Sequence, residues 1–226
     1  MKKIREFVML FTLGFFPVTG LAYGIEDGES MFSLYGGLGS AMQSSGMEVD
    51  GRDLSWGNFG GELGFSYLYF PSAYLGIGAD LRYAGFQGSD TVEDVPGYWY
   101  WHTFESDFET NTLQLMAAGR INLNPGSAVR LYLPFGAGAV LANESMTYRW
   151  DDSYEWKESS SQVTFGWYAG VGLEFAQGDR SAWSLEARYN TFRYDDSKFA
   201  DRIGGFATGR DSQHSYVSIV ASVKFK

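Results

Sequence analysis

The sequence predicts an all-β chain, folded as an eight-stranded antiparallel up-and-down transmembrane β-barrel. Three observations carry that prediction. In the last thirteen residues, Val217, Ile219, Ala221, Val223 and Phe225 point one way, while Tyr216, Ser218, Ser222 and Lys224 point the other. A period of two is a strand with one apolar face. Seven further segments alternate in the same way, joined by tight turns and long connections in turn. Third, the faces opposite the apolar stripes carry Glu62, Asp80, Arg82, Arg120, Arg130, Glu174, Glu186 and Arg188. These balanced charges, counted without a lysine, would be costly in a dry core. With lipid against the apolar side they fit a lumen, where guanidinium forks pair with carboxylates. An ordinary solvated face of an open sheet is the competing reading.

The strands follow in order. Residues 31–42 carry Phe32, Leu34 and Leu38 on one face, and residues 57–70 carry Phe59, Leu63, Phe65, Tyr67 and Tyr69. Beyond Pro71 and Ser72, residues 73–87 show Leu75, Ile77, Ala79, Leu81 and Tyr83. Residues 110–123 show Leu113, Leu115, Ala117, Ile121 and Leu123, and end at Asn124-Pro-Gly-Ser127, a strong turn signal. Residues 128–142 show Val129, Leu131, Leu133, Phe135, Ala137, Ala139 and Leu141. Residues 162–175 show Val163, Phe165, Trp167, Ala169, Val171, Leu173 and Phe175. A turn near Gln177-Gly-Asp179 leads into residues 182–194, with Trp183, Leu185, Ala187 and Tyr189. The C-terminal segment is the eighth strand. Gly36, Gly60, Gly64, Gly136, Gly138, Gly170 and Gly172 are read as inward positions that make room for the arginines. Tyr67, Tyr69, Phe70, Tyr74, Phe175, Trp183 and Phe225 cluster beside the tight turns, as an interfacial girdle would.

Composition and ends agree. The 226 residues include 29 glycines but no cysteine, which excludes disulfides and thiolate metal sites. Lys2, Lys3 and Arg5 precede a short apolar run from Phe7 to Phe16, and Ala22 and Gly24 are small residues ahead of Ile25. That is the layout of a signal peptide over residues 1–24, with a barrel domain over 25–226. The competing reading is a membrane anchor, for which the run is too short, since a helical span needs about twenty residues. Removal of Lys2, Lys3, Arg5 and Glu6 would move the net charge from −10 to −12. So acidic a chain argues against nucleic acid as a partner. No later apolar run could form a spanning helix, so a span requires a closed sheet that pairs every backbone polar group.

The alternation, the short–long rhythm and the terminal aromatic together resemble the small eight-stranded bacterial outer-membrane barrels. The OmpA transmembrane domain and the OmpX/Ail group are the familiar examples. The resemblance implies an outer-membrane location, termini at the periplasmic rim and long loops outside. It implies that Phe225 is the signal read by the barrel assembly machinery, although one residue, Lys226, follows it. It implies contact with outer-membrane lipid and lipopolysaccharide. It brings no catalytic motif and no cofactor.

Chemistry is sparse. The two histidines lack a partner at metal-ligand spacing, and no acidic run has calcium-loop spacing. Some lipid-cleaving barrels place a serine two residues after the histidine; here that position is Tyr216, while Ser215 faces the other side. The chain is therefore read as non-enzymatic. Between residues 83 and 119 there is no basic residue, while Asp90, Glu93, Asp94, Glu105, Asp107 and Glu109 accumulate. The loops also hold Tyr98, Trp99, Tyr100 and Trp101, then Tyr148, Trp150, Tyr154 and Trp156, the second set spaced as a strand hairpin would be. Exposed Tyr and Trp suit recognition; packing within stiff hairpins is the alternative. The functional expectation is a surface scaffold whose acidic, aromatic loops bind an envelope or host-surface protein. A narrow channel for small solutes or hydrophobic compounds is the alternative.

Overall fold

The computed structural model describes the backbone of residues 24–42, 44–49, 52–55, 59–96, 101–150, 154–177, 180–195, 207–209 and 211–226. Side chains are described for 24–42, 59–91, 105–149, 155–177, 180–195 and 213–226. The strands are β1 (Glu29–Ala41), β2 (Ser44–Val49), β3 (Arg52–Ser55), β4 (Phe59–Ser72), β5 (Leu75–Pro96) and β6 (Trp101–Asn122). They continue as β7 (Val129–Trp150), β8 (Tyr154–Gln177), β9 (Ser181–Asp195), β10 (Ala207–Gly209) and β11 (Asp211–Phe225). Eight of them close a barrel in the order β1-β11-β9-β8-β7-β6-β5-β4, all neighbours antiparallel. The terminal strand seals the ring against the first, with Phe32 opposite Phe225 and Ala41 opposite Tyr216.

The eight predicted strands are present and the tight connections fall where expected. The extension of β7 and β8 as a hairpin agrees with the spacing of Tyr148, Trp150, Tyr154 and Trp156, while a small extra sheet and the length of β5 and β6 were not anticipated. A separate three-stranded sheet, β10-β2-β3, joins the first long connection to the last. In addition, β5 to β8 run 22 to 24 residues each. The predicted second and third long loops are thus mostly hairpin, with only residues 97–100 and 151–153 left between strands.

The extra length has a physical signature. Along β7 the outward residues from Val129 to Leu141 are apolar, then become Asn143, Ser145, Thr147 and Arg149. On β8 the outward residues change from Val163 to Ser161, Ser159, Lys157 and Glu155. The inward side changes in the opposite sense. Buried Arg120, Arg130, Glu174 and Arg188 lie low, while Phe86, Phe108, Val140, Met146, Phe192 and Tyr194 form an apolar cluster above. The apolar outer band on β7 is roughly 30 Å tall, from the twelve residue steps between Val129 and Leu141 at a strand rise of about 3.3 Å and a tilt near 40°. That height matches hydrocarbon, and the strands above it stand in water.

Some expectations need correction. Phe70 is not in the girdle: it is fully buried inside the barrel, because it shares the even parity of Glu62 and Leu68. Gly36 lies on the outward face opposite Ala221, and Gly37 and Gly39 take the inward positions of β1. The other girdle residues do sit at the tight-turn end, with Tyr67, Tyr69, Tyr74 and Phe225 exposed and Phe175 stacked on Trp183 at 4.0 Å.

Candidate functional site

The lumen is the most highly built part of the molecule. All eight charges expected there are buried within it. In the lower layer Glu174 is the hub: it pairs with Arg120, with Arg130 Nη2 at 2.7 Å and with Lys224 Nζ at 3.0 Å. Three cations around one carboxylate need another anion nearby, and Glu186 supplies it, 3.6 Å from Lys224 and 2.6 Å from Arg188 Nη2. Tyr132 donates to Glu186 at 2.5 Å, while the Arg120 guanidinium lies 3.8 Å from the Tyr132 ring centre. In the layer above, Arg82 contacts Asp80 at 2.9 Å and Glu62 at 3.4 Å, and donates to Asn190. Glu62 also accepts from Ser218 at 2.9 Å and Tyr216 at 3.3 Å. Asp80 accepts from the Tyr35 hydroxyl, and Tyr35 in turn carries Arg188 over its ring at 4.5 Å. Among the described residues, a void of about 20 Å³ lies between the layers.

Lysine is not absent from this lumen. Lys224 alternates with Val223 and Phe225, so its side chain points inward, where it supplies a fifth cation. Neither histidine was read as part of the lumen, yet His214 is fully buried there, with Nδ1 3.1 Å from Glu144 Oε1 and its ring stacked on Tyr194 at 5.4 Å. Glu144 also accepts from Thr110 at 3.3 Å. The signal was the inward parity that His214 shares with Tyr216 and Ser218. Ser215 points away from this pair, toward Tyr189 and Thr191. His102 falls outside the described side chains.

The second candidate region is the water-exposed wall of β5 to β8. Arg149 joins three strands there, reaching Asp107 at 3.0 Å, Glu155 at 3.2 Å and Glu105 at 3.5 Å. The Glu155 hydrogen bond, then the charge of Asp107, holds the Arg149 guanidinium above its ordinary pKa. Of the proposed recognition aromatics, Tyr148 is buried and stacks at 6.2 Å on Trp156, which remains 55% exposed. Tyr98, Trp99 and Tyr100, and the side chains of Trp101, Trp150 and Tyr154, lie outside the described residues.

Residues 9–225 match the family described as Outer membrane protein beta-barrel domain. The chain belongs to that family. It is an outer-membrane barrel, located in the outer membrane of a Gram-negative envelope. Among solved structures it is similar to Ail of Yersinia pestis in complex with the heparin analogue sucrose octasulfate. That likeness has 17% identity over 87% of this chain and 99% of that one, at a TM-score of 0.47. It is also similar to the outer-membrane protein OprG of Pseudomonas aeruginosa, with 13% identity over 88% and 98%, at a TM-score of 0.46. Neisserial surface protein A is another likeness, with 12% identity over 88% and 99%, at a TM-score of 0.42. No curated protein matches the chain.

Proposed function

We propose that this barrel is a non-enzymatic surface scaffold: a filled pedestal in the membrane that holds an acidic, aromatic wall outside for a protein partner. The observation that carries the reading is the contrast between a lumen crossed by two buried ion-paired layers and strands that continue well beyond the apolar band. Rigid strands present a binding surface at lower ordering cost than loose loops. The charge of the wall, with Glu105, Asp107, Glu109 and Glu155 around Arg149, favours a cationic protein face. By the same charge, polyanions are poor ligands for this wall. His214 supports the non-enzymatic reading, since it is buried against Glu144 and aromatic rings while the adjacent Ser215 turns to Tyr189 and Thr191 on the other face. Residues 1–24 direct export, and Phe225, exposed beside the β1–β11 seam, is the segment offered to the assembly machinery.

The test has two arms. In planar bilayers the protein is expected to give no steady unitary current. A current altered by Arg120→Ala would instead establish the narrow channel, which requires the ion-paired layers to separate. On whole cells, deletion of residues 92–106 is expected to abolish capture of the protein partner while the barrel still folds and inserts.

A further inference from the structure

The two ion-paired layers of the lumen hold one more cation than carboxylate. Buried Arg82, Arg120, Arg130, Arg188 and Lys224 face buried Glu62, Asp80, Glu174 and Glu186. Glu144, also buried, is engaged elsewhere, by His214 and Thr110. The surplus charge falls where the packing is incomplete. The void of about 20 Å³ between the layers is lined by three of the cations, Arg120, Arg188 and Lys224, but by only two carboxylates, Asp80 and Glu186. Those carboxylates are already served. Asp80 accepts from Tyr35 and Arg82, and Glu186 accepts from Tyr132 and Arg188. The guanidiniums are not. Arg120 commits Nε to Asn122 and Nη1 to Glu174, while Arg188 commits Nε and Nη2 to Glu186. Arg120 Nη2 and Arg188 Nη1 are left buried, with no hydrogen-bond partner among the described residues.

We infer that this void binds one monatomic anion of the halide class, between Arg120 and Arg188. Three features select that ligand. The first is charge: a buried charge without a counter-charge is costly, and one negative ion makes the two layers neutral. A water molecule would satisfy the open N–H groups but leave the surplus cation. The second is size, since about 20 Å³ is just above the roughly 10–15 Å³ that a single water-sized occupant needs. A phosphate, a sulfate or a carboxylic acid is too large. The third is the donor set. The ring faces of Tyr132 and Tyr35 cover the Arg120 and Arg188 guanidiniums at 3.8 and 4.5 Å, so the open N–H groups are reached edge-on. Lys224 and the hydroxyl of Ser33 line the same void from other strands. A spherical anion accepts from all of these directions at once. The ring of strands is closed, so the ion is taken up as the barrel forms and is released when it opens. The site belongs to the filled lumen and stands whether or not the wall outside binds a protein.

Bromide retention tests it. The protein is folded into detergent micelles in sodium bromide, passed by gel filtration into sodium gluconate, and its bromide counted by X-ray fluorescence. The wild type is expected to keep a single bromide per chain and to release it on heat unfolding. Lys224→Met, which removes the surplus cation, and Ser33→Asp, which places a fixed carboxylate at the void, should each lower retention about tenfold or more. Ser159→Asp, which adds the same charge on the outer wall, should leave retention unchanged. Heat-modified electrophoretic migration reports folding; Ser33→Asp decides if Lys224→Met does not fold, and the wild type alone decides if neither does. A folded wild type that keeps no bromide, its void holding water only, would overturn the inference. So would retention equal to wild type in a folded lumen variant.

Discussion

The lower and upper halves of β5 to β8 are built from the same strands by opposite rules. Below, Leu115, Ala139 and Phe165 face out and Arg120, Arg130 and Glu174 face in. Above, Asp107, Thr147 and Lys157 face out and Phe108, Met146 and Tyr148 face in. Strand geometry is unchanged across the boundary, so the exchange records the solvent alone. Where hydrocarbon surrounds the sheet, charge retreats to the lumen and must be paired there. Where water surrounds it, the ordinary apolar interior returns. The chain is thus an inside-out barrel continued upward by a right-way-out one.

The largest way to break this contrast is at Glu174. Glu174→Ala leaves Arg120, Arg130 and Lys224 together in the lumen without their common carboxylate. A loss of about 3–5 kcal/mol is expected, as for one partner removed from a buried ion cluster. Glu109→Ala, on the wet wall, should stay within about 0.5 kcal/mol. Urea unfolding in lipid vesicles compares the two, and similar losses would show that the lower charges are not sealed from water.

A second, smaller effect locates the boundary itself. Ala169 lies midway along the lipid-facing stripe of β8, and its small side chain leaves little packing to lose. Ala169→Arg should cost about 2–4 kcal/mol in a bilayer, the midplane penalty for a lipid-facing arginine. Ser159→Arg, on the same face of the same strand but above the band, should be nearly silent. An equal penalty at both positions would extend the hydrocarbon past Ser161 and erase the proposed exchange of faces.

Much of this was legible because alternation is a strong signal wherever one face is wholly apolar. All eight lumen charges could be placed from parity with Leu63, Leu81, Ile121, Leu131, Leu173 and Leu185 on their own strands. The misplacements have particular causes. From Tyr67 to Phe70 the chain is apolar at every residue, so parity there is blurred and Phe70 reads equally well as girdle or plug. Gly36 shares the even parity of Phe32, Leu34 and Leu38, so the strand pattern itself places Gly37 inward, and the inward reading of Gly36 ran against it. Lys224 carried the correct parity, but a terminal lysine is ordinarily solvated, and only the fold shows Glu174 waiting across the lumen from β8. The His214–Glu144 pair joins β11 to β7, strands far apart in sequence, so no spacing rule could reveal it. The upward continuation of β5 and β6 escaped because period two persists there with its polarity exchanged, which looks like the end of a strand.

The smallest expected effect concerns Arg149, and it separates rigidity from stability. Its guanidinium bridges β6, β7 and β8 but is open to solvent, so water and salt screen each contact. Arg149→Ala should therefore leave the global unfolding midpoint unchanged. The wall should nevertheless loosen, because Glu105, Asp107 and Glu155 would then repel one another across three strands with no cation between them. Hydrogen exchange is expected to quicken in residues 105–109 and 145–149 and to remain slow in residues 129–141, and moderate salt should reproduce part of the change in the wild type. A lowered global midpoint would mean that the two halves unfold as one unit. Faster exchange confined to the upper half would show that the wall moves independently on a fixed base.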